Sequence, residues 1–140
     1  MSNKQYKVKH IQPIYLVQYA GASGDFNPVH TIPDAARKSG HPQPIAHGMY
    51  VMGLVSKALE EWYPERKLLT FQVRFLSPTY SGEELIVTET MVTKTESDDL
   101  HGSIEVTNTH QQVKLKGTFE LRGRGSLCTK RLEQSKMKEF

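Results

Sequence analysis

The sequence predicts an α+β domain in which an antiparallel sheet wraps around one apolar helix. Apolar residues in the N-terminal half recur at the spacing of helices, whereas from Leu69 onward they alternate with polar residues at the spacing of strands. The helical segments all precede the strands, and this segregation is typical of α+β domains. With 140 residues, the chain is long enough to form one domain with a core of its own.

Two short helices are predicted first. Pro13 suits the first position of a helix, and the helical spacing that follows it ends at Gly24. After a loop, Pro33 begins a second helix that Thr31 can cap and that ends near Gly40. The loop between them therefore runs from the end of the first predicted helix to the start of the second.

Residues 47–62 give the longest helical pattern and are predicted to form the central helix. Residues 49–55 are apolar or small all round its circumference, so we expect this helix to be enclosed. Gly53, at its middle, predicts that another backbone or a ligand approaches closely there. Because one modest sheet leaves part of such a helix uncovered, the sequence also predicts a second copy of the chain, in a homodimer.

The C-terminal half predicts four strands, with apolar residues at every second position of the first. The strands follow one another through short connections, which favours an antiparallel sheet of hairpins. The four predicted strands are residues 69–75, 85–92, 103–109 and 113–121.

Charge and composition exclude several classes of protein. The net charge is +3, but the last 19 residues carry six basic and two acidic side chains, so the basic excess belongs to a C-terminal tail. We therefore divide the chain into a domain at 1–123 and a basic tail at 124–140, and we expect no nucleic-acid partner. No apolar run approaches the roughly 20 residues of a membrane span. Cys128 can form no intrachain disulfide and residues 1–10 contain no signal region, so a cytoplasmic location is expected.

The loop after the first predicted helix concentrates polar chemistry. Asp25, Asn27 and His30 lie within six residues of one another, among Gly and Pro that specify a bent backbone. Across such a turn Asp25 and His30 can face each other and share a water, which is the geometry of an acid/base pair. Asp25 and Asn27 are also common turn residues, so this segment taken alone is more typical of a structural turn.

Three segments resemble the MaoC-like family of hotdog-fold dehydratases, which includes the (R)-specific enoyl-CoA hydratases. They read SGDFNPVH at 23–30, PIAHGM at 44–49 and VRFLSP at 73–78, followed by Gly82, and the resemblance spans residues 15–121. It implies a hotdog fold and a homodimer with active sites at the subunit interface. It also implies reversible hydration of a trans-2-enoyl thioester to a 3-hydroxyacyl thioester, without a metal or redox cofactor.

The resemblance also assigns roles to individual residues. Asp25 and His30 match the family's catalytic pair, and the Gly48 N–H matches the donor to the substrate's oxyanion, where glycine would let the substrate carbonyl approach closely. Asn27 matches an orienting amide, and Ser56 matches a serine near the pair, for which we expect a positioning role. Coenzyme A is the preferred acyl carrier.

Other interpretations stay open from the sequence. A 3-hydroxyacyl-ACP dehydratase is the nearest alternative, a non-catalytic acyl-thioester-binding protein belongs to a different class, and a hotdog thioesterase is disfavoured because its signatures differ. His47 is interpreted as a helix-start residue bonded to the backbone, and the other histidines lack the spaced partners of a metal site. The chain departs from the family at Ile32, which replaces an acidic residue, and at Tyr50, which would shorten the accepted acyl chain if it pointed into the site.

Overall fold

The computed structural model describes residues 4–123. Within these residues it contains three α-helices, one short 3₁₀ turn and five strands, and the first strand precedes the helices, which was not expected. The helices are α1 (Pro13–Ser23), α2 (Pro33–Lys38) and α3 (Gly48–Trp62), and the 3₁₀ turn is Pro28–His30. The strands are β1 (Gln5–Val8), β2 (Leu68–Phe75), β3 (Leu85–Lys94), β4 (Leu100–Asn108) and β5 (Val113–Leu121). The predicted tail at 124–140 lies outside the described residues.

The strands form one antiparallel sheet in the order β1-β3-β4-β5-β2. The hairpins β3–β4 and β4–β5 confirm the predicted antiparallel hairpins. The prediction that β2 also forms a hairpin with the strand that follows it is wrong. β2 pairs with β5 at the far edge of the sheet, where Phe75 lies opposite Leu115. The segment after β2 instead pairs with the residues that precede α3, through a bridge between Tyr80 and Ile45. Strand β1 was not predicted, although its four residues alternate between polar and apolar as in a half-buried strand.

The predicted central helix is confirmed as α3, and it packs against the sheet. Its buried side chains belong to the same core cluster as those of β3, β4 and β5. The single chain leaves part of the helix uncovered, as expected, since Met49 is 62% exposed, and its cover by a second copy stays a prediction. Among residues 4–123, nothing lies within 4 Å of a Cβ built on Gly53, so the expected close approach is not found there. One sheet covers one side of a helix, and the opposite side of α3 is left open.

Helix α1 ends as predicted, because Gly24 adopts a φ of +77°, which favours glycine. Helix α2 begins at Pro33 as predicted, but the capping role of Thr31 is wrong. The residue that precedes the helix is Ile32, and no side chain caps it. Thr31 instead ends the preceding 3₁₀ turn, where its N–H donates to the carbonyl of Pro28.

Strand β2 departs from its predicted alternation at both ends. Its register against β5 shifts between Leu68 and Thr70, so Leu69 falls outside the alternation and is 38% exposed. Val73 packs against the core as predicted, whereas Phe75 is 49% exposed because it lies at the end of the strand, beside the start of α3. None of the helices within residues 4–123 has the length and apolarity needed to cross a membrane.

Candidate active site

The loop between α1 and the 3₁₀ turn is built from two successive side-chain turns. Asp25 Oδ1 accepts a hydrogen bond of 3.2 Å from the N–H of Asn27. Asn27 Oδ1 in turn accepts one of 3.1 Å from the N–H of Val29, the second residue of the 3₁₀ turn. Asn27 therefore holds the shape of the loop that carries Asp25 and His30, and a direct contact with substrate stays a prediction.

The structure brings Asp25 and His30 together. His30 Nε2 lies 3.6 Å from Asp25 Oδ2. His30 Nδ1 lies 2.8 Å from the carbonyl oxygen of Ile45, and because a carbonyl only accepts, Nδ1 carries the hydrogen of the neutral ring. Nε2 is then left with a lone pair on the side of the carboxylate. A water between the two groups can donate one hydrogen to each, which is the arrangement that removes a proton from water.

His47 supports this pair from behind. Its side chain is buried, its Nε2 donates to the Asp25 carbonyl at 3.0 Å, and its ring stacks on that of His30 with a centroid separation of 3.8 Å. His47 was predicted to lie at the start of the helix and to bond to the backbone, and both features are found. The sequence did not indicate that the bond goes to Asp25 itself. His47 fixes the backbone of one member of the pair and the ring of the other.

Asp25, His30 and His47 also place three potential metal ligands within 4.8 Å of one another. Two geometric features distinguish the cluster from a cation site. The Nε2 atom of His47 faces the Asp25 carbonyl, and the two imidazole rings are tilted by only 22°. Ring lone pairs lie in the ring planes, so stacked rings direct them side by side rather than toward one point. The cluster fits an acid/base pair with a supporting imidazole better than it fits a metal centre.

Gly48 is the first residue of α3, where backbone N–H groups have no partner within the helix and the helix dipole favours negative charge. The structure gives a further reason for glycine at this position, and the expected close approach of a substrate carbonyl stays a prediction. A Cβ built on Gly48 would lie 2.9 Å from Cζ of Phe75, which is shorter than a normal carbon contact. The aromatic ring of Phe75 thus occupies the space that a side chain at position 48 would need.

His30 and Gly48 line one cavity of about 390 Å³, a volume within the usual range of small-molecule sites. Asp25 is not among the residues that line this cavity, but it lies 3.6 Å from His30, which is, and about half of its side chain is exposed. Most of the remaining lining is apolar, and it includes Val51, Phe75 and Pro78. Phe75 was predicted only as a core residue. The one sequence feature that could have indicated its position in the cavity is that it belongs to the VRFLSP segment.

Two residues singled out from the sequence lie elsewhere. Ser56 follows Gly48 by eight residues on α3, which corresponds to about 12 Å along the helix. It lines a different cavity together with Arg66, so the chain by itself does not bring Ser56 to the pair, and its positioning role stays a prediction. Tyr50 packs edge-on against Tyr19, and burial of its ring raises the pKa of its hydroxyl.

Comparison with known proteins finds hydratases and dehydratases among those similar to this chain. Residues 1–114 match the family model described as MaoC like domain. The chain is 39% identical over 71 residues to 3-hydroxyacyl-thioester dehydratase X of Mycobacterium tuberculosis, over 51% of this chain and 25% of that protein. It is 34% identical over 68 residues to the mitochondrial 3-hydroxyacyl-[acyl-carrier-protein] dehydratase of Arabidopsis thaliana, over 49% of this chain and 41% of that protein.

A third relative is the peroxisomal enoyl-CoA hydratase 2 of Arabidopsis thaliana, which is 37% identical over 67 residues, 46% of this chain and 22% of that protein. The chain thus matches less than half of the length of each of these three relatives. Among solved structures, R-hydratase PhaJ1 from Pseudomonas aeruginosa superposes with a TM-score of 0.79 at 25% identity, over 88% of this chain and 81% of that one. This agreement confirms the predicted hotdog fold. The chain belongs to the MaoC-like domain family.

Proposed function

We propose that this protein is a hydro-lyase that reversibly adds water to a trans-2-enoyl thioester and forms an (R)-3-hydroxyacyl thioester. The observation that carries the proposal is the placement of Asp25 and His30 beside Gly48. The two candidate proton-transfer groups lie 3.6 Å apart, and His30 shares a cavity with the N-terminus of α3. The named relatives, which are hydratases and dehydratases, support the same reaction type.

In the proposed reaction, a water held between Asp25 and His30 attacks the β-carbon of the enoyl group. The new C–O bond forms as the water transfers a proton to the pair, and the π electrons move to the α-carbon and the thioester oxygen. The pair then delivers a proton to the α-carbon, so one water is added and both residues return to their starting states. Proton transfers of this kind contribute about 10²- to 10⁴-fold each.

The negative charge that develops on the thioester oxygen needs a hydrogen-bond donor. We assign this role to the N–H of Gly48, because the start of α3 offers an unpartnered donor and the positive end of the helix dipole. Loss of a comparable donor in other enzymes costs about 10²- to 10³-fold in rate. The chemistry requires no metal or redox cofactor, and we propose none.

Coenzyme A is the proposed acyl carrier, which the resemblance to enoyl-CoA hydratase 2 supports. The resemblance to a 3-hydroxyacyl-[acyl-carrier-protein] dehydratase favours acyl carrier protein as the alternative. A protein that binds acyl thioesters without turnover is the third candidate.

An absorbance assay separates these candidates. With short and medium trans-2-enoyl-CoA, the proposal predicts loss of the conjugated enoyl absorbance until hydration reaches equilibrium. Hydration of the same acyl groups on acyl carrier protein, but not on coenzyme A, would favour the alternative carrier. Binding of both carriers without any absorbance change would overturn the assignment as an enzyme.

We further propose that the active form is a homodimer. Two apolar features of the single chain are uncovered, namely Met49 on the open side of α3 and Leu69 on the edge strand β2. Exposed strand edges and apolar helix faces are sites at which chains associate. The positioning role of Ser56 belongs to this assembled dimer, where the open side of α3 would meet a second copy. Light scattering is expected to give twice the chain mass of 15.9 kDa, and a strictly monomeric mass would contradict the dimer.

A further inference from the structure

We propose that Phe75 determines specificity by restricting the cavity beside the reacting carbons, so that the enzyme accepts straight-chain enoyl thioesters and rejects those branched at the α-carbon. This inference rests on the proposed function and names the class of substrate that the site takes.

The position of the Phe75 ring carries the inference. Phe75 is the last residue of β2, and three of its ring carbons lie 2.9, 3.2 and 3.3 Å from the point at which a Cβ of Gly48 would stand. The ring therefore rests directly on the first residue of α3. Since Phe75 is 49% exposed and lines the cavity, part of its ring remains available to contact a ligand.

A substrate that uses the Gly48 donor must pass beside this ring. Its carbonyl oxygen would lie about 2.9 Å from the Gly48 nitrogen, which places the carbonyl carbon and the α-carbon within a few bond lengths of Gly48. A methyl group on the α-carbon then competes with the ring for space. Carbons farther along the acyl chain lie beyond Gly48, so the ring affects branching more than length.

The part of the cavity wall formed by residues 77–79 is anchored and offers little compensating movement. Ser77 Oγ donates to the carbonyl of Val113 at 2.8 Å, and Lys114 Nζ donates to the carbonyl of Pro78 at 2.8 Å. The carbonyl of Thr79 accepts from the backbone N–H of the residue two before Gly48, at 2.7 Å. Residues 77–79 are thereby fixed to β5 and to the segment preceding α3, and removing the Phe75 ring is the direct way to widen the site.

The test compares Phe75→Leu and Phe75→Ala with wild type, using crotonyl-CoA and its α-methyl analogue, tiglyl-CoA. Because a pocket discriminates one methylene group by about 10- to 200-fold, the ratio of kcat/KM for tiglyl-CoA to that for crotonyl-CoA is expected to rise at least about tenfold in Phe75→Ala. Phe75→Leu should give an intermediate ratio. Met91→Ala is the matched control, since Met91 is an apolar residue of β3 that is 57% exposed and outside the cavity lining.

Binding of saturated analogues keeps the inference separate from the proposed reaction. Butyryl-CoA and 2-methylbutyryl-CoA cannot be hydrated, and calorimetry is expected to show the same change in relative affinity for Phe75→Ala. A shift in binding without any wild-type hydration would support the role of Phe75 and overturn the proposed function. Hydration by a folded wild type, with both ratios unchanged in the variants, would overturn the role of Phe75.

Discussion

Replacing Asp25 by asparagine is expected to lower kcat for enoyl-CoA hydration by about 10²- to 10⁴-fold, while KM changes little. Asparagine preserves the size of the side chain, and its amide oxygen can still accept the turn-forming bond from Asn27. It cannot take a proton from water. Steady-state assays of the absorbance loss measure the effect directly.

His30→Gln should give a loss of the same order, because Nε2 of His30 is the other acceptor that faces the bound water. If the two groups act as one unit, the double variant should lose about as much activity as the worse single variant. Asp34→Asn is the matched control, since Asp34 is an exposed carboxylate on α2 that pairs with Arg37. Turnover that survives both single substitutions would remove the proposed mechanism.

Breaking the ion pair between Lys114 and Glu83 is expected to have the largest effect on stability. Lys114 is 1% exposed, and its Nζ lies 3.0 Å from Glu83 Oε2. Its other acceptors are the carbonyl of Pro78 at 2.8 Å and Oε1 of Gln112 at 3.0 Å. Removing one partner of a buried pair costs about 3–5 kcal/mol of unfolding free energy. We expect Glu83→Gln to fall near the lower end of that range, because Lys114 keeps two neutral acceptors.

The loss from Glu83→Gln should depend on pH. Burial alone would raise the pKa of Glu83, but hydrogen bonds from the Asn108 side chain, the Tyr80 N–H and Lys114 outweigh it and lower the pKa from its ordinary value of 4.5. A lowered pKa in the folded protein means that the ionised carboxylate stabilises the fold above about pH 4.5. That contribution disappears as pH falls through the folded-state pKa.

Urea unfolding at pH 7 and near pH 3.5 measures this dependence, and the difference between wild type and Glu83→Gln should shrink at the lower pH. Glu105→Gln is the matched control, since Glu105 pairs with Lys116 at 3.3 Å on the same sheet but the lysine is 60% exposed. Exposed pairs contribute about 0–1 kcal/mol. Equal losses for the two variants at both values of pH would contradict the importance of burial.

Local sequence signals predicted those parts of the fold that depend on neighbours in the chain. Pro13 and Gly24 bound α1 as expected, because a fixed φ and a left-handed φ act locally. The place of β2 at the edge of the sheet was not predictable in the same way. It depends on the segment after Phe75 crossing to pair Tyr80 with Ile45, a contact that no hydrophobic period encodes.

The candidate site likewise has a part that the local sequence predicted and a part that it did not. Asp25 and His30 were identifiable because they lie five positions apart in one bent loop and the surrounding segment resembles a known family. The hydrogen bond from His47 to Asp25 joins residues that are 22 positions apart in sequence. The contact of Phe75 with Gly48 joins residues that are 27 positions apart. Such contacts follow from the packing of α3 against the loop and the sheet. Ser56 is the opposite case. It matches a serine of the family, but in the single chain its side chain does not lie near Asp25 and His30.

The stereochemistry of hydration in D₂O tests the central claim that Asp25 and His30 act together on one water. The two groups lie 3.6 Å apart, and the proposed mechanism has them act on one water, so hydroxyl and deuterium should be added to the same face of crotonyl-CoA. NMR of the product is expected to show a single diastereomer of (R)-3-hydroxybutyryl-CoA, labelled at the α-carbon by syn addition. Anti addition, or a mixture of configurations at the labelled carbon, would contradict the account.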